Sequence, residues 1–159
     1  QAEGAGLSRL FDPRPEYLTA MEQHVDLKEI ERAGLTVVVD PLYGATRGYL
    51  DELLRRAGAR VTAVHDWRDP YFGGRRPDPA GEALTEVKEA VKREQAHLGL
   101  ATDGDGDRFG IVDRDGTAIE ANLILGLLGG VAGFSCAPPE PSGSCGATAR
   151  AGVARSWRH

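Results

Sequence analysis

Apolar positions along this chain fall into short runs whose period changes from one segment to the next. Leu35 to Val39 is a continuous, β-branched run that stops at Asp40-Pro41, the pattern of a strand buried on both faces. Gly44 and Gly48 flank a predicted helix with Tyr49-Leu50 and Leu53-Leu54 as its buried stripe, closed by Gly58. Arg60 to Val64 predicts a second strand. Strand, helix and strand within about thirty residues make a βαβ unit, so the two strands are expected to be parallel with a right-handed crossover.

From Gly81 to His97, Leu84, Val87 and Val91 lie opposite Lys88 and Lys92, which predicts an amphipathic helix leading to a third strand at Leu98 to Ala101. Phe109 to Val112 reads as a fourth strand running back against the third, with a turn at Asp115-Gly116. Leu123, Ile124, Leu127 and Leu128 mark a helix beginning at Asn122. Upstream, Tyr17, Leu18, Met21, Val25, Leu27 and Ile30 recur at mixed three- and four-residue spacings, as in two short helices joined near His24 to Asp26. Asp26 is placed to cap the second of these, and His24 reads as a packed or solvated residue. The expected fold class is α/β: three layers, α/β/α, around a mixed, mostly parallel four-stranded sheet.

Composition sets the boundaries. Residues 1–13 carry no apolar period and read as an N-terminal tail, 14–128 as one domain, and 129–159 as a second tail in which Gly, Ala, Ser, Pro and Cys replace the periodic pattern. A hydrophobic content of 41% with 27% charged residues supports one ordinary globular domain. The net charge of −5, without a basic stripe, argues against nucleic acid and against an anionic membrane surface as partners. No apolar run reaches the length of a membrane span, and Gln1-Ala-Glu-Gly4 lacks the basic-then-apolar order of a signal peptide. Cys136 and Cys145 match neither CxxC nor zinc spacing, so a reducing, cytoplasmic location is the expectation.

Candidate chemistry concentrates between the third and fourth strands. Asp103, Asp105 and Asp107 recur with a period of two, which in extended backbone sends their side chains to one side. Two carboxylates about 4 Å apart repel by roughly 4 kcal/mol at an effective dielectric near 20, so either a proton or a cation is needed among three. Oxygen donors without sulfur or imidazole suit Mg²⁺ or Ca²⁺. An EF-hand is excluded, because counting from Asp103 puts Arg108 sixth, where that loop needs Gly, and Arg114 twelfth, where it needs Glu. A plain Asp-Gly turn is the competing reading. Arg108 fits either a phosphate beside the loop or a salt bridge to the loop itself. Arg75 and Arg76, in the Pro/Gly-rich stretch Asp66 to Pro79, are either anion contacts or solvated.

The stretch Thr102-Asp-Gly-Asp-Gly-Asp-Arg108 resembles the metal-binding loop of the α-D-phosphohexomutases, the phosphoglucomutase and phosphomannomutase family. Thr36-Val-Val-Val-Asp-Pro-Leu-Tyr-Gly44 is similar to the first strand and turn of that family's second domain. Asp69-Pro-Tyr-Phe-Gly-Gly-Arg-Arg-Pro-Asp-Pro79 is similar to its Phe-Gly-Gly/Pro-x-Pro loop. The resemblance covers roughly residues 14 to 128 and implies the second of four domains.

It further implies Mg²⁺ as cofactor, Asp103, Asp105 and Asp107 as its ligands, and Arg108 as a phosphate contact. The reaction it implies moves a phosphoryl group between C1 and C6 of a hexose phosphate, glucose or mannose phosphate, through a phosphoserine. No serine of this chain stands in the family's Ser-His-Asn-Pro setting, and the Gly-Glu-x-Ser-Gly sugar loop is absent. The expectation is therefore a fragment that is inactive alone, with a stand-alone cation-binding module and a degraded remnant as the alternatives.

Overall fold

The computed structural model describes residues 10–132. The tail expected over 129–159, with Cys136 and Cys145, lies outside the described residues from 133 onward, and residues 1–9 of the N-terminal tail lie outside them too.

Two short helices come first, α1 (Arg14–His24) and α2 (Leu27–Ala33). The Asp26 side chain accepts the backbone N–H groups of Lys28 and Glu29, satisfying donors that a helix start leaves open. The His24 imidazole lies 2.7 Å from the Ala20 carbonyl through Nδ1, a local tie at the helix end. The strands β1 (Thr36–Asp40), β2 (Arg60–Ala63), β3 (Leu98–Thr102), β4 (Phe109–Asp113) and β5 (Ala118–Ile119) form one sheet in the order β2-β1-β3-β4-β5. β1 runs parallel to both β2 and β3, and β3 pairs antiparallel with β4.

The sheet has five strands rather than the expected four. β5 is two residues long, too short for alternation to show in sequence. The helix expected on the stripe Tyr49 to Leu54 is α3 (Leu50–Arg56), and residues 42–49 ahead of it form turns. The helix expected from Gly81 opens as a 3₁₀ turn over Gly81–Leu84 before α4 (Thr85–Arg93).

Side-chain alternation along β1 builds the layers. Val38 packs with Val87, Ala90 and Val91 of α4 and with Ala101 and Val112. Its neighbours Val37 and Val39 point the other way, to Leu54 of α3 and Ala59, with Ile30 of α2 against that cluster. Both faces of β1 are therefore covered, as its unbroken apolar run requires. Fully burying each such valine stabilises by about 1.5–3 kcal/mol. The chain divides into two compact units after Ala118, the second containing α5 (Ala121–Ala132), which continues through Gly129-Gly130. Among the described residues no helix is long and apolar enough to cross a membrane.

Gly99 lets α4 lie directly on β3. A Cβ there would stand 2.5 Å from Val87 Cγ1 and 2.8 Å from Val91 Cγ2. Gly99→Ala is expected to lower stability by about 1–3 kcal/mol through overpacking, read as a lower urea midpoint. An unchanged midpoint would contradict this packing of helix on strand.

Candidate functional site

Because β1, β2 and β3 are parallel, their carboxyl ends leave the sheet along one edge, where open α/β folds place ligand-handling loops. Three connections meet there. Ala45 N–H, in the turn after β1, donates to the Gly104 carbonyl at 2.9 Å. Gly104 N–H donates in turn to the Pro77 carbonyl, in the loop after β2, at 3.2 Å. The hydroxyls of Thr46 and Thr102 lie 2.6 Å apart. Gly44 makes the approach possible, since a Cβ there would meet the Gly104 carbonyl oxygen at 2.6 Å and the Asp103 carbonyl oxygen at 2.9 Å, both backbone atoms with no room to yield.

The loop between β3 and β4 is built on Asp103, whose side chain is fully buried. Its Oδ1 accepts the backbone N–H groups of Gly106 at 2.9 Å and Arg108 at 3.0 Å, and its Oδ2 accepts Arg108 Nε at 3.0 Å. These bonds curl the chain so that Asp105 and Asp107, both exposed, turn an oxygen toward Asp103. One carboxylate oxygen from each of the three lies within 4.8 Å of the others.

The Arg108 guanidinium also stands 3.3 Å from Asp78 Oδ1 and 3.6 Å from Asp107 Oδ1, with its side chain 60% exposed. Arg108 thus makes the salt bridge to its own loop that its sequence position allows. Arg75 pairs with Glu86 at 3.4 Å instead of standing alone in its loop.

Electrostatics set Asp103 and Asp107 apart. Burial pushes Asp103 up, but the backbone N–H and the guanidinium of Arg108 outweigh it and hold the carboxyl at about 2. Asp107 is pushed up, first by the hydrogen bond it shares with Asp103 and then by the charges of Asp105 and Asp103, with Arg108 opposing. A proton on Asp107 is thus one answer to the crowding. A hard divalent cation is another, and the donor set fits it: three convergent carboxylates, with no sulfur or imidazole among them.

A second set of residues is joined by no spacing in the sequence. At the end of β1, Asp40 meets His65, which in turn meets Glu86 of α4. The only trace of it in sequence is a charged residue at the end of a fully apolar strand.

Fold and site together define an α/β/α domain that presents an acidic, oxygen-only loop at the carboxyl edge of a mixed sheet. Residues 15–116 match the family model described as phosphoglucomutase/phosphomannomutase, alpha/beta/alpha domain II, and the chain belongs to that family. It is 39% identical over 108 residues to a protein named "Probable phosphoglucosamine mutase" of Methanocella arvoryzae, a match covering 67% of this chain and 25% of that protein. Against a phosphoglucomutase/phosphomannomutase of Thermococcus kodakarensis it is 36% identical over 112 residues, 70% of this chain and 25% of the relative. The crystal structure of a phosphoglucomutase/phosphomannomutase family protein from Burkholderia thailandensis superposes with a TM-score of 0.60 at 28% identity, over 76% of this chain and 26% of that one. The chain spans about a quarter of the length of the curated relatives it matches.

The depressed Asp103 value gives an acid-side prediction. Its folded value of about 2 lies below the ordinary aspartate value of about 3.9. The stability it contributes is therefore complete above the ordinary value and lost as pH falls through about 2. Asp107, pushed up, works in the opposite sense, costing stability as pH rises through its folded value. Between pH 4 and 2 the melting temperature of wild type is expected to fall more steeply than that of Asp103→Asn. Parallel slopes would show that Asp103 holds no such charge in the fold.

Proposed function

We propose that this chain is the magnesium-binding domain of a hexose-phosphate mutase, in which Asp103, Asp105 and Asp107 hold Mg²⁺ and Arg108 contacts the transferring phosphate. The observation that carries this reading is the convergence of the three carboxylates within 4.8 Å beside one exposed arginine, in a chain of this family. The names of the relatives include phosphoglucosamine, glucose and mannose phosphate mutases, so the substrate class is hexose phosphates.

In the proposed reaction a sugar hydroxyl oxygen attacks the phosphorus of a phosphoserine. A new oxygen–phosphorus bond forms as the serine bond breaks, and the proton given up by the attacking hydroxyl is balanced by the one the freed serine oxygen takes up. Bound at the three aspartates, Mg²⁺ would draw charge from the phosphoryl oxygens as the group leaves. What this chain's own residues do is hold and orient. Asp103, buried and tied to two backbone N–H groups, fixes the loop and anchors Arg108 Nε, while the exposed part of the guanidinium faces solvent as a donor fork for phosphate oxygens. None of Ser8, Ser135, Ser142, Ser144 and Ser156 stands in a Ser-His-Asn-Pro setting, so the phosphoserine and the sugar-gripping groups come from sequence beyond this chain. In this reading the chain alone does not turn over.

Three carboxylates without a phosphoserine oxygen hold Mg²⁺ weakly, because that ion dehydrates reluctantly. Calorimetric titration of wild type is expected to give a weak, saturable heat, and Asp105→Ala, a change at an exposed side chain, is expected to lose it. Equal heats for the two proteins would overturn the assignment.

A further inference from the structure

Behind the acidic loop lies a network that the proposed transfer does not use. Asp40, fully buried at the end of β1, spends Oδ1 on the Leu42 N–H at 2.7 Å and faces His65 Nδ1 with Oδ2 at 2.9 Å. The other ring nitrogen, Nε2, lies 2.6 Å from Glu86 Oε2, and Glu86 Oε1 lies 3.4 Å from Arg75 Nη1. The ring also stacks on Tyr43, centroids 4.5 Å apart, and meets Trp67 edge-on at 5.8 Å.

The charged and titratable groups facing His65 are thus Asp40 from β1, Tyr43 from the turn after it and Glu86 from α4, with Arg75 behind Glu86. Burial pushes the Asp40 carboxyl up, against the Leu42 N–H and His65. Burial likewise pushes the Tyr43 phenol up, with the charges of Glu86 and Asp40 adding to it.

We propose that His65 is a positioning residue which, carrying a proton on both ring nitrogens, clamps the turn after β1 and the loop after β2 against the acidic loop. With two protons each ring N–H has a carboxylate to donate to. With one, a nitrogen lone pair faces a carboxylate oxygen and the clamp opens.

The connection onward is continuous. Tyr43 N–H donates to the His65 carbonyl at 3.0 Å, and two residues later Ala45 N–H reaches the Gly104 carbonyl. Arg75, held by Glu86, stands two residues before Pro77, whose carbonyl takes the Gly104 N–H. Gly104 adjoins Asp103. Left-handed backbone at Tyr43 (φ 61°) and His65 (φ 49°) is a conformation that non-glycine residues hold only when contacts impose it. The clamp itself is independent of the proposed function, and only its consequence for cation affinity rests on that reading.

Amide hydrogen exchange of the metal-free full chain at Ala45 and Gly104 tests the clamp, corrected for intrinsic rates between pH 5 and 8 while the His65 ring is followed by ¹⁵N NMR. In wild type, protection is expected to fall about tenfold as the ring loses its second proton. His65→Asn, a residue type that tolerates left-handed backbone, and Glu86→Ala, at a half-exposed side chain, are expected to show the low protection at every pH, with no inflection. If His65→Asn does not fold, Glu86→Ala decides. Protection that ignores pH in wild type, or that matches wild type in the folded variant, overturns the proposal.

The Mn²⁺ dissociation constant is expected to rise about tenfold in the same variants, and an unchanged constant in a folded variant would sever the clamp from the cation site. A wild type that takes no Mn²⁺ overturns the cation reading of the acidic loop, while the exchange data decide the clamp on their own.

Discussion

Three aspartates that bring carboxylate oxygens within 4.8 Å of one another stay together only if positive charge stands among or beside them. In this chain Arg108, paired with Asp103 and close to Asp107, meets part of that demand. The remaining like charge is held in place from one side: Asp103 is fixed by two backbone N–H groups and a guanidinium, and Asp105 and Asp107 converge on it from exposed positions. The arrangement is what a divalent cation of the oxygen-preferring kind relieves.

The rest of the fold serves that convergence. Parallel pairing of β1 with β2 and β3 delivers three loops to one edge, and glycine at positions 44 and 99 lets backbone meet backbone and helix meet strand without a side chain between them. The valines of β1, alternating between two clusters, give the edge a rigid base. Membership of the phosphoglucomutase/phosphomannomutase family, over its second α/β/α domain, accords with this layered architecture.

Much of this was legible from residue order, for physical reasons that also mark the limits. β1 announced itself because a strand covered on both faces needs an unbroken apolar run. The acidic loop did so because three carboxylates at a period of two crowd like charge onto one side of the chain, which a plain Asp-Gly turn does not require. β5 left no pattern in two residues. Residues 42–49 form turns that reach the Gly104 backbone, a tertiary demand that local periodicity does not encode. The Asp40–His65–Glu86 network joins residues 25 and 21 positions apart, and a lone histidine at a strand end has no spacing to betray it. Arg108 allowed two readings in sequence, and the fold shows the ion pair with Asp103 while leaving the side chain 60% exposed.

Anomalous diffraction from crystals of this chain grown with saturating Mn²⁺ tests the central claim most directly, since it locates the ion without reference to activity. The account predicts one strong peak bounded by the carboxylates of Asp103, Asp105 and Asp107. An ordered acidic loop with no peak, or a peak only at other residues, would contradict it.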